Sequence, residues 1–235
     1  MRELFRYPLC RSCLHAPEPL SAEFFCVSCR TPFQNAFPLD PQGRCAICRS
    51  GLRGFDAAYS FAAYEGVMRQ LIHLYKYARI KTLAGPLADL LARAMPLDES
   101  FDAIVPVPLH WFRKWRRGFN QAELLARSLS KRTGIPLAHA LKRRKSTRTQ
   151  AGLSNRARRE NVTRAFHARA VEGKRLLLID DVMTTGSTGA ACALALKRAG
   201  AARVALLTVA RADRRLSVSH LVPSESLVES SDHAE

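Results

Sequence analysis

The sequence predicts an α/β protein: an open, mostly parallel sheet flanked by helices, preceded by a small cysteine-rich metal ribbon. Three observations predict it. Residues 175 to 198 read as a strand, a short polar turn and a helix. Residues 101 to 132 repeat that order with a longer turn. Six of the seven cysteines fall in the first fifty residues as three Cys-x-x-Cys pairs. Strands alternating with helices build a parallel sheet. Closely spaced cysteine pairs in a chain without a secretion signal point to metal rather than disulfides.

Length and composition bound the answer. A chain of 235 residues has room for one ordinary domain and a small appendage. An apolar content of 47% is normal for a globular protein. No apolar run approaches the roughly 18 residues of a membrane span, so none is expected. The opening Met-Arg-Glu-Leu-Phe-Arg has no apolar signal core, and a cytoplasmic location is expected. The expected units are a ribbon over 1–52, an α/β domain over 53–216, and a tail over 217–235 rich in Ser and acids, expected to be disordered.

In the ribbon the pairs are Cys10 and Cys13, Cys26 and Cys29, and Cys45 and Cys48. A two-residue gap lets one turn aim two sulfurs at a tetrahedral ion, and two such knuckles complete a Cys₄ zinc site with bonds of about 2.3 Å. Four ligands make one site, and six do not make two. The favoured set is Cys26, Cys29, Cys45 and Cys48, with Cys10 and Cys13 either an alternative knuckle or the remnant of a second site. His15 is a further candidate ligand or a plain surface residue. A unit this small buries too little apolar surface to fold alone, so the metal supplies folding energy and its role is structural.

Phe55 to Tyr64 alternates partially and reads as one or two short strands. A helix over Val67 to Tyr77 follows Gly66, with an apolar face at Leu71, Ile72, Leu74 and Tyr75. Lys76 at its end either reaches a ligand or complements the helix C-terminus. A second helix spans Leu83 to Ala94, with Pro86 in its tolerant first turn. Phe101 to Pro108 is a strand that must end at its prolines, which lack ladder donors. The loop after it is cationic and aromatic, from His110 through Trp111, Arg116, Arg117 and Phe119 to Gln121, and a helix over Gln121 to Arg132 follows. Arg116 and Arg117 are candidate contacts to an anionic ligand, since a guanidinium grips two oxygens at once. Ile135 to Ala138 is a candidate short strand. Leu141 to Asn161 is polar and basic, with Arg148 inside it and a short helix capped by Ser154 near its end. It reads either as a lid over a bound anion or as a disordered basic loop. The last strand is Val204 to Ala210, and Arg211 to Arg215 ends the fold with Arg214 near the site rim.

The net charge of +17 is concentrated. Residues 111 to 175 hold nineteen Lys or Arg against three acids, a surplus of 16. That concentration implies an anionic partner, a phosphorylated small molecule or a nucleic acid, or else a basic solvated face. Trp111, Phe112, Trp115 and Phe119 among the cations suit base stacking, so single-stranded DNA is a candidate partner.

The chemistry concentrates at 175 to 188. Leu176 to Ile179 is a continuous apolar run, as in a strand buried on both faces. Asp180 and Asp181 follow, then Thr184-Thr185-Gly186-Ser187-Thr188, then an alanine-rich helix from about Gly189 to Arg198. In an open α/β sheet the ligand crevice lies at the carboxyl ends of the strands. Unpaired amides at a helix N-terminus cradle a phosphate, and Gly186 lets the backbone approach it. Carboxylates there make sense against sugar hydroxyls or a ligand-held divalent cation. The arrangement describes a pocket for a ribose 5-phosphate.

This motif closely resembles the phosphoribosyl-pyrophosphate (PRPP) signature of type I phosphoribosyltransferases. The order of motifs along the chain resembles the ComF family, competence-associated proteins with an amidophosphoribosyltransferase-like domain. It runs from the Cys-x-x-Cys ribbon through Ile72, His73, Tyr75, Lys76 and Tyr77, then Val105 to Pro108, then Arg116 to Gln121. Thr149, Gln150, Leu153, Arg158 and Asn161 follow, and Ile179 to Thr188 completes it. The resemblance covers about residues 8 to 213. It implies that Asp180 and Asp181 sit at the ribose hydroxyls as the catalytic acids, that Thr184 to Thr188 wrap the 5′-phosphate, and that Arg116 and Arg117 meet the pyrophosphate. It further implies Mg²⁺ carried with PRPP, a structural Zn²⁺, and a role in DNA uptake beside competence or DNA-processing proteins. Many members carry eight ribbon cysteines, and this chain has six.

Overall fold

A computed structural model of the chain describes residues 17–33, 35–50, 54–109, 118–143 and 165–212. In chain order these form β1 (Phe24–Phe25), β2 (Pro32–Phe33), α1 (Ala46–Arg49), β3 (Ala57–Ala63) and α2 (Gly66–Lys76). A 3₁₀ turn (Lys81–Leu83), α3 (Ala84–Ala94), β4 (Ala103–Pro106) and α4 (Gln121–Thr133) follow. Then come β5 (Leu141–Arg143), β6 (Phe166–Ala168), β7 (Arg175–Met183), α5 (Ser187–Arg198) and β8 (Arg203–Arg211).

Four of these strands make one parallel sheet in the order β3-β8-β7-β4. The apolar runs of β7 and β8 explain their central place, because a strand covered on both faces needs apolar residues at every position. On one face lie α2, α3 and α4, packed on Ile104, Leu177, Ile179 and Leu207. Their buried stripes are Met68, Leu71, Ile72 and Tyr75; Ala84, Leu87, Ala88 and Leu91; and Ala122, Leu125, Ala126 and Leu129. Each stripe has the i, i+3, i+4, i+7 spacing of one helix face. On the other face α5, Leu141, Phe166 and the cysteine ribbon pack on Leu176, Leu178 and Leu206.

Phe55 to Tyr64 forms a single strand, β3, at the sheet edge. The ribbon covers part of that edge: the Leu20 amide donates to the Phe61 carbonyl at 2.6 Å, and the Ala58 amide to that of Ser28 at 2.8 Å. An open edge is a template for unwanted pairing, so this cover protects the fold.

Two expectations need correction. Ile135 to Ala138 is not a strand; it runs beside β4 with one isolated bridge, Leu137 to Ile104. Pro136 there accepts from the Ile104 amide but has no donor to extend a ladder. Leu141, read as the start of a polar loop, opens β5 instead, which pairs antiparallel with β6. Its anchors are buried Leu141 and Phe166, and the Arg143 guanidinium lies over Phe166, 5.2 Å from the ring centroid. The charge of the segment concealed that apolar pair. The expected helix over 155–162, the tail over 217–235 and the tryptophan-bearing loop lie outside the described residues.

Candidate phosphoribosyl-type site and cysteine centre

The site begins where β7 ends. The strand does not stop at Ile179; it continues through Asp180 and Asp181 to Met183, paired with β8 to the last residue. A three-residue turn, Thr184-Thr185-Gly186, then enters α5 at Ser187. Gly186 is left-handed at φ 76°, a conformation that glycine adopts without strain. Thr185 Oγ1 lies 2.8 Å from Ser187 Oγ and accepts from the Ser187 amide at 3.4 Å. Thr184, Thr185 and Ser187 are exposed, and Thr188 is half-buried. The positive end of α5 therefore opens among small hydroxyl side chains at the carboxyl edge of the sheet, where an anion is favoured. Gly189 sets the height of that helix: a Cβ there would lie 2.6 Å from Leu206 Cδ2.

Successive residues of a strand point to opposite faces. Asp181 turns toward α2, where Lys76 Nζ meets Asp181 Oδ1 at 2.9 Å, with the side chains only 14% and 11% exposed. Burial pushes the neighbouring Tyr75 hydroxyl up from its usual pKa, and the charge of Asp181 adds to that. Asp180 turns toward α5: burial pushes the Cys192 thiol up, and the charge of Asp180 adds to it. Asp180 Oδ1 also accepts the Asp181 amide at 2.9 Å. At the next strand end, the Asn120 side chain donates to the Val107 carbonyl at 3.1 Å, and Tyr75 donates to the Gln121 carbonyl at 2.9 Å. These bonds hold the start of α4 at the same edge. Lys81 Nζ lies 5.6 Å from the Phe119 ring centroid beside them.

A second constellation lies in the ribbon. The sulfurs of Cys26, Cys29, Cys45 and Cys48 all lie within 4.8 Å of one another, the first three buried and Cys48 half-buried. The Cys45 amide donates to Cys26 Sγ at 3.3 Å. Burial pushes the Cys45 thiol up, and sulfur–sulfur hydrogen bonds with Cys26 and Cys29 push Cys48 up further. Cys45 and Cys48 thus resist ionisation alone; a thiophilic cation such as Zn²⁺ would relieve that, so the four-sulfur donor set fits a closed tetrahedral site. Cys192 is buried in α5, away from the cluster. Arg211, 3% exposed at the end of β8, donates to the Cys29 carbonyl at 2.5 Å and to Thr31 Oγ1. Thr31 Oγ1 in turn lies 2.8 Å from Cys29 Sγ. Arg211 also pairs in register with Met183, the residue before the turn. It joins the cysteine centre to the strand that carries the cradle.

Comparison with known proteins decides the family. The phosphoribosyl transferase domain family matches residues 80–226. "DNA utilization protein YhgH" of Escherichia coli is 37% identical over 175 residues, covering 71% of this chain and 77% of that protein. "Competence protein F" of Haemophilus influenzae is 44% identical over 116 residues, covering 47% of this chain and about half (51%) of that protein. The chain belongs to the ComF family. Among solved structures, the glutamine PRPP amidotransferase from B. subtilis matches this ComF-family chain at 25% identity and a TM-score of 0.41, over 54% of this chain and 26% of that one.

In this ComF protein the sequence-predicted residues divide into three groups. Asp180, Asp181, Thr184 to Thr188 and Lys76 converge at one sheet edge. Cys26, Cys29, Cys45 and Cys48 converge in the ribbon. Cys10, Cys13, His15, Arg116, Arg117, Arg148 and Arg214 lie outside the described residues. Sequence reasoning missed the ties of Lys76 to Asp181 and of Arg211 to the ribbon, because both partners are remote in sequence. No helix among the described residues is long and apolar enough to cross a membrane. A divalent cation such as Mg²⁺ wants hard oxygens at short range. Asp181 Oδ1 already faces the Lys76 ammonium, and Asp180 Oδ1 accepts the Asp181 amide.

Proposed function

We propose that this ComF-family protein binds Mg²⁺-PRPP, or a closely related phosphoribosyl ligand, at the β7–α5 turn and acts in DNA uptake during natural transformation. The observation that carries the reading is the turn itself: small hydroxyl side chains and left-handed Gly186 at the N-terminus of α5, directly after an acid pair on a central strand. In this reading the Thr184 to Thr188 segment receives the 5′-phosphate, and Asp180 and Asp181 lie toward the ribose hydroxyls. Arg116, Arg117 and Arg148 are assigned to the pyrophosphate. Mg²⁺, carried on the ligand, would neutralise pyrophosphate charge. In a transferase of this type a nucleophile displaces pyrophosphate at the anomeric carbon, and the protein's part is positioning and charge stabilisation. The four-cysteine centre would hold a structural Zn²⁺. The names of the relatives, competence and DNA utilization, support the biological setting.

Titration calorimetry with PRPP and Mg²⁺ tests this, wild type against Asp180→Asn and a Gly186→Val variant that blocks the turn. Saturable binding by the wild type, weakened by both substitutions, is expected; no heat from the wild type refutes the reading.

A second reading, a non-enzymatic single-stranded DNA binder, draws on the surplus of 16 positive charges between residues 111 and 175. It predicts oligonucleotide affinity that falls steeply as salt rises. The two readings are compatible, because phosphates of either ligand suit one basic surface.

A further inference from the structure

Two residues of the site already answer one another before any ligand arrives. Lys76 Nζ sits 2.9 Å from Asp181 Oδ1, and both side chains are more than four-fifths withdrawn from solvent. Lys76 is not a wandering surface lysine. It occupies the last turn of α2, whose face Met68, Leu71, Ile72 and Tyr75 is buried in the core. Tyr75 beside it is fixed by its bond to the Gln121 carbonyl and by an edge-on contact with Phe119. Asp181 is equally fixed, on a strand paired to β8 on both sides of that residue.

We propose that Lys76 is a built-in counter-cation which takes the place of a divalent metal at Asp181, so that the sugar-phosphate half of the ligand binds without Mg²⁺. This rests on the phosphoribosyl reading above and deepens it. Three steps lead there. First, two adjacent carboxylates beside a phosphate cradle repel the ligand they serve; one resident ammonium halves their formal charge. Second, a metal brought onto Asp181 would meet a positive charge 2.9 Å from the same carboxylate, a like-charge contact at low solvent exposure. Third, an ammonium has three donors. With one directed at Asp181, the others remain for ligand oxygens, so the pair offers a ribose hydroxyl both a donor and an acceptor. Lys76 thus neutralises the acid and contacts the ligand hydroxyl itself. Any metal needed by PRPP would serve its pyrophosphate.

Ribose 5-phosphate separates the two ends, because it carries the phosphate and hydroxyls but no pyrophosphate. Its affinity is measured by calorimetry with Mg²⁺ and in buffer freed of divalent cations by ion exchange, on wild type, Lys76→Arg and Lys76→Met. PRPP with Mg²⁺ is titrated alongside as the control for the site. The expected result is wild-type affinity for ribose 5-phosphate that changes less than about threefold between the two buffers. Lys76→Met should lose at least about thirtyfold without metal, the usual consequence of truncating one partner of a buried charge pair. Added Mg²⁺ should restore part of that loss, and Lys76→Arg should retain metal-free binding. A wild type that binds PRPP with Mg²⁺ but binds ribose 5-phosphate only with Mg²⁺ overturns the inference and leaves the site intact. A Lys76→Met variant as metal-independent as the wild type overturns it too. Absence of binding to either ligand in Mg²⁺ overturns the site reading and this inference together. The wild-type comparison requires no variant to fold.

Discussion

Replacing Arg211 by Leu asks how firmly the ribbon is fixed to the α/β sheet. The guanidinium donates to the Cys29 carbonyl and to Thr31 Oγ1 from a position 3% exposed. Hydrogen bonds from a charged donor contribute about 1.5–3 kcal/mol each, so two are worth roughly 3–6 kcal/mol. Against this, leucine releases the cost of keeping a charge out of water, and buried ionic groups are often replaced by apolar ones with little net loss. Leucine does nothing, however, for the Cys29 carbonyl and the Thr31 hydroxyl it leaves behind. Their desolvation keeps the net loss at about 2–3 kcal/mol, or roughly 4–12 °C in melting temperature for a chain of this size. Urea unfolding gives the free energy. Release of bound metal to a chromogenic chelator, on the same samples, reports the ribbon directly and should accelerate, because Thr31 no longer holds Cys29 from the sheet side. Arg211→Lys should fall between, with one point charge in place of a planar fork. A loss below about 0.5 kcal/mol with unchanged metal release would refute the reasoning, and the ribbon would then be held by its apolar contacts and the edge of β3 alone.

Two other perturbations follow from the same geometry. Gly189→Ala adds a methyl 2.6 Å from Leu206 Cδ2 inside a packed face. The better helix propensity of alanine, about 1 kcal/mol, is outweighed by overpacking of about 1–3 kcal/mol. A modest net destabilisation is expected, because buried Leu206 must turn its methyl aside within a packed face; calorimetric melting checks it, and an unchanged melt contradicts the packing. Glu99 is held below the ordinary carboxylate range, first by its bidentate bonds from Arg203 and further by the Tyr59 hydroxyl. A depressed folded pKa stabilises the protein above the unfolded value of about 4.5 and ceases to do so as pH falls through the folded one. Glu99→Gln should therefore be less stable than wild type at neutral pH, with the gap closing toward pH 3 in chemical unfolding; a gap that stays constant with pH shows that Glu99 contributes by shape rather than charge.

What could be read in the sequence was local. The apolar face read at Leu71, Ile72, Leu74 and Tyr75 of α2 is buried or half-buried, and the apolar run Leu176 to Ile179 announces a central strand. The spacing of Cys26, Cys29, Cys45 and Cys48 predicts that two knuckles converge, and they do. Apart from Ile135 to Ala138, where Pro136 breaks the ladder, the failures share one cause: a partner far along the chain. β5 and β6 are three residues each and gain their order from pairing across a long basic segment. Arg211 reads as the end of a strand until the ribbon is placed beside it.

The acid pair shows the same limit within the motif itself. A signature written in one dimension treats Asp180 and Asp181 as equivalent neighbours with a shared task. Their roles separate once β7 continues through both of them, because the pleat turns consecutive side chains to opposite faces. One face is lined by α2 and supplies Lys76; the other is lined by α5 and begins at the phosphate cradle. Asp180 thus shares its side of the sheet with α5, the helix proposed to receive the phosphate, while Asp181 pairs with an ammonium from another helix. Asparagine at 180 and asparagine at 181 should then fail differently. The first should weaken ligand binding with a small cost in stability, since an amide oxygen can still accept the Asp181 amide. The second strands a mostly buried Lys76 beside a neutral amide, so it costs stability as well, by about 3–5 kcal/mol if the pair is as withdrawn from water as its exposure indicates. Equal melting temperatures for the two variants would return the acids to a common role.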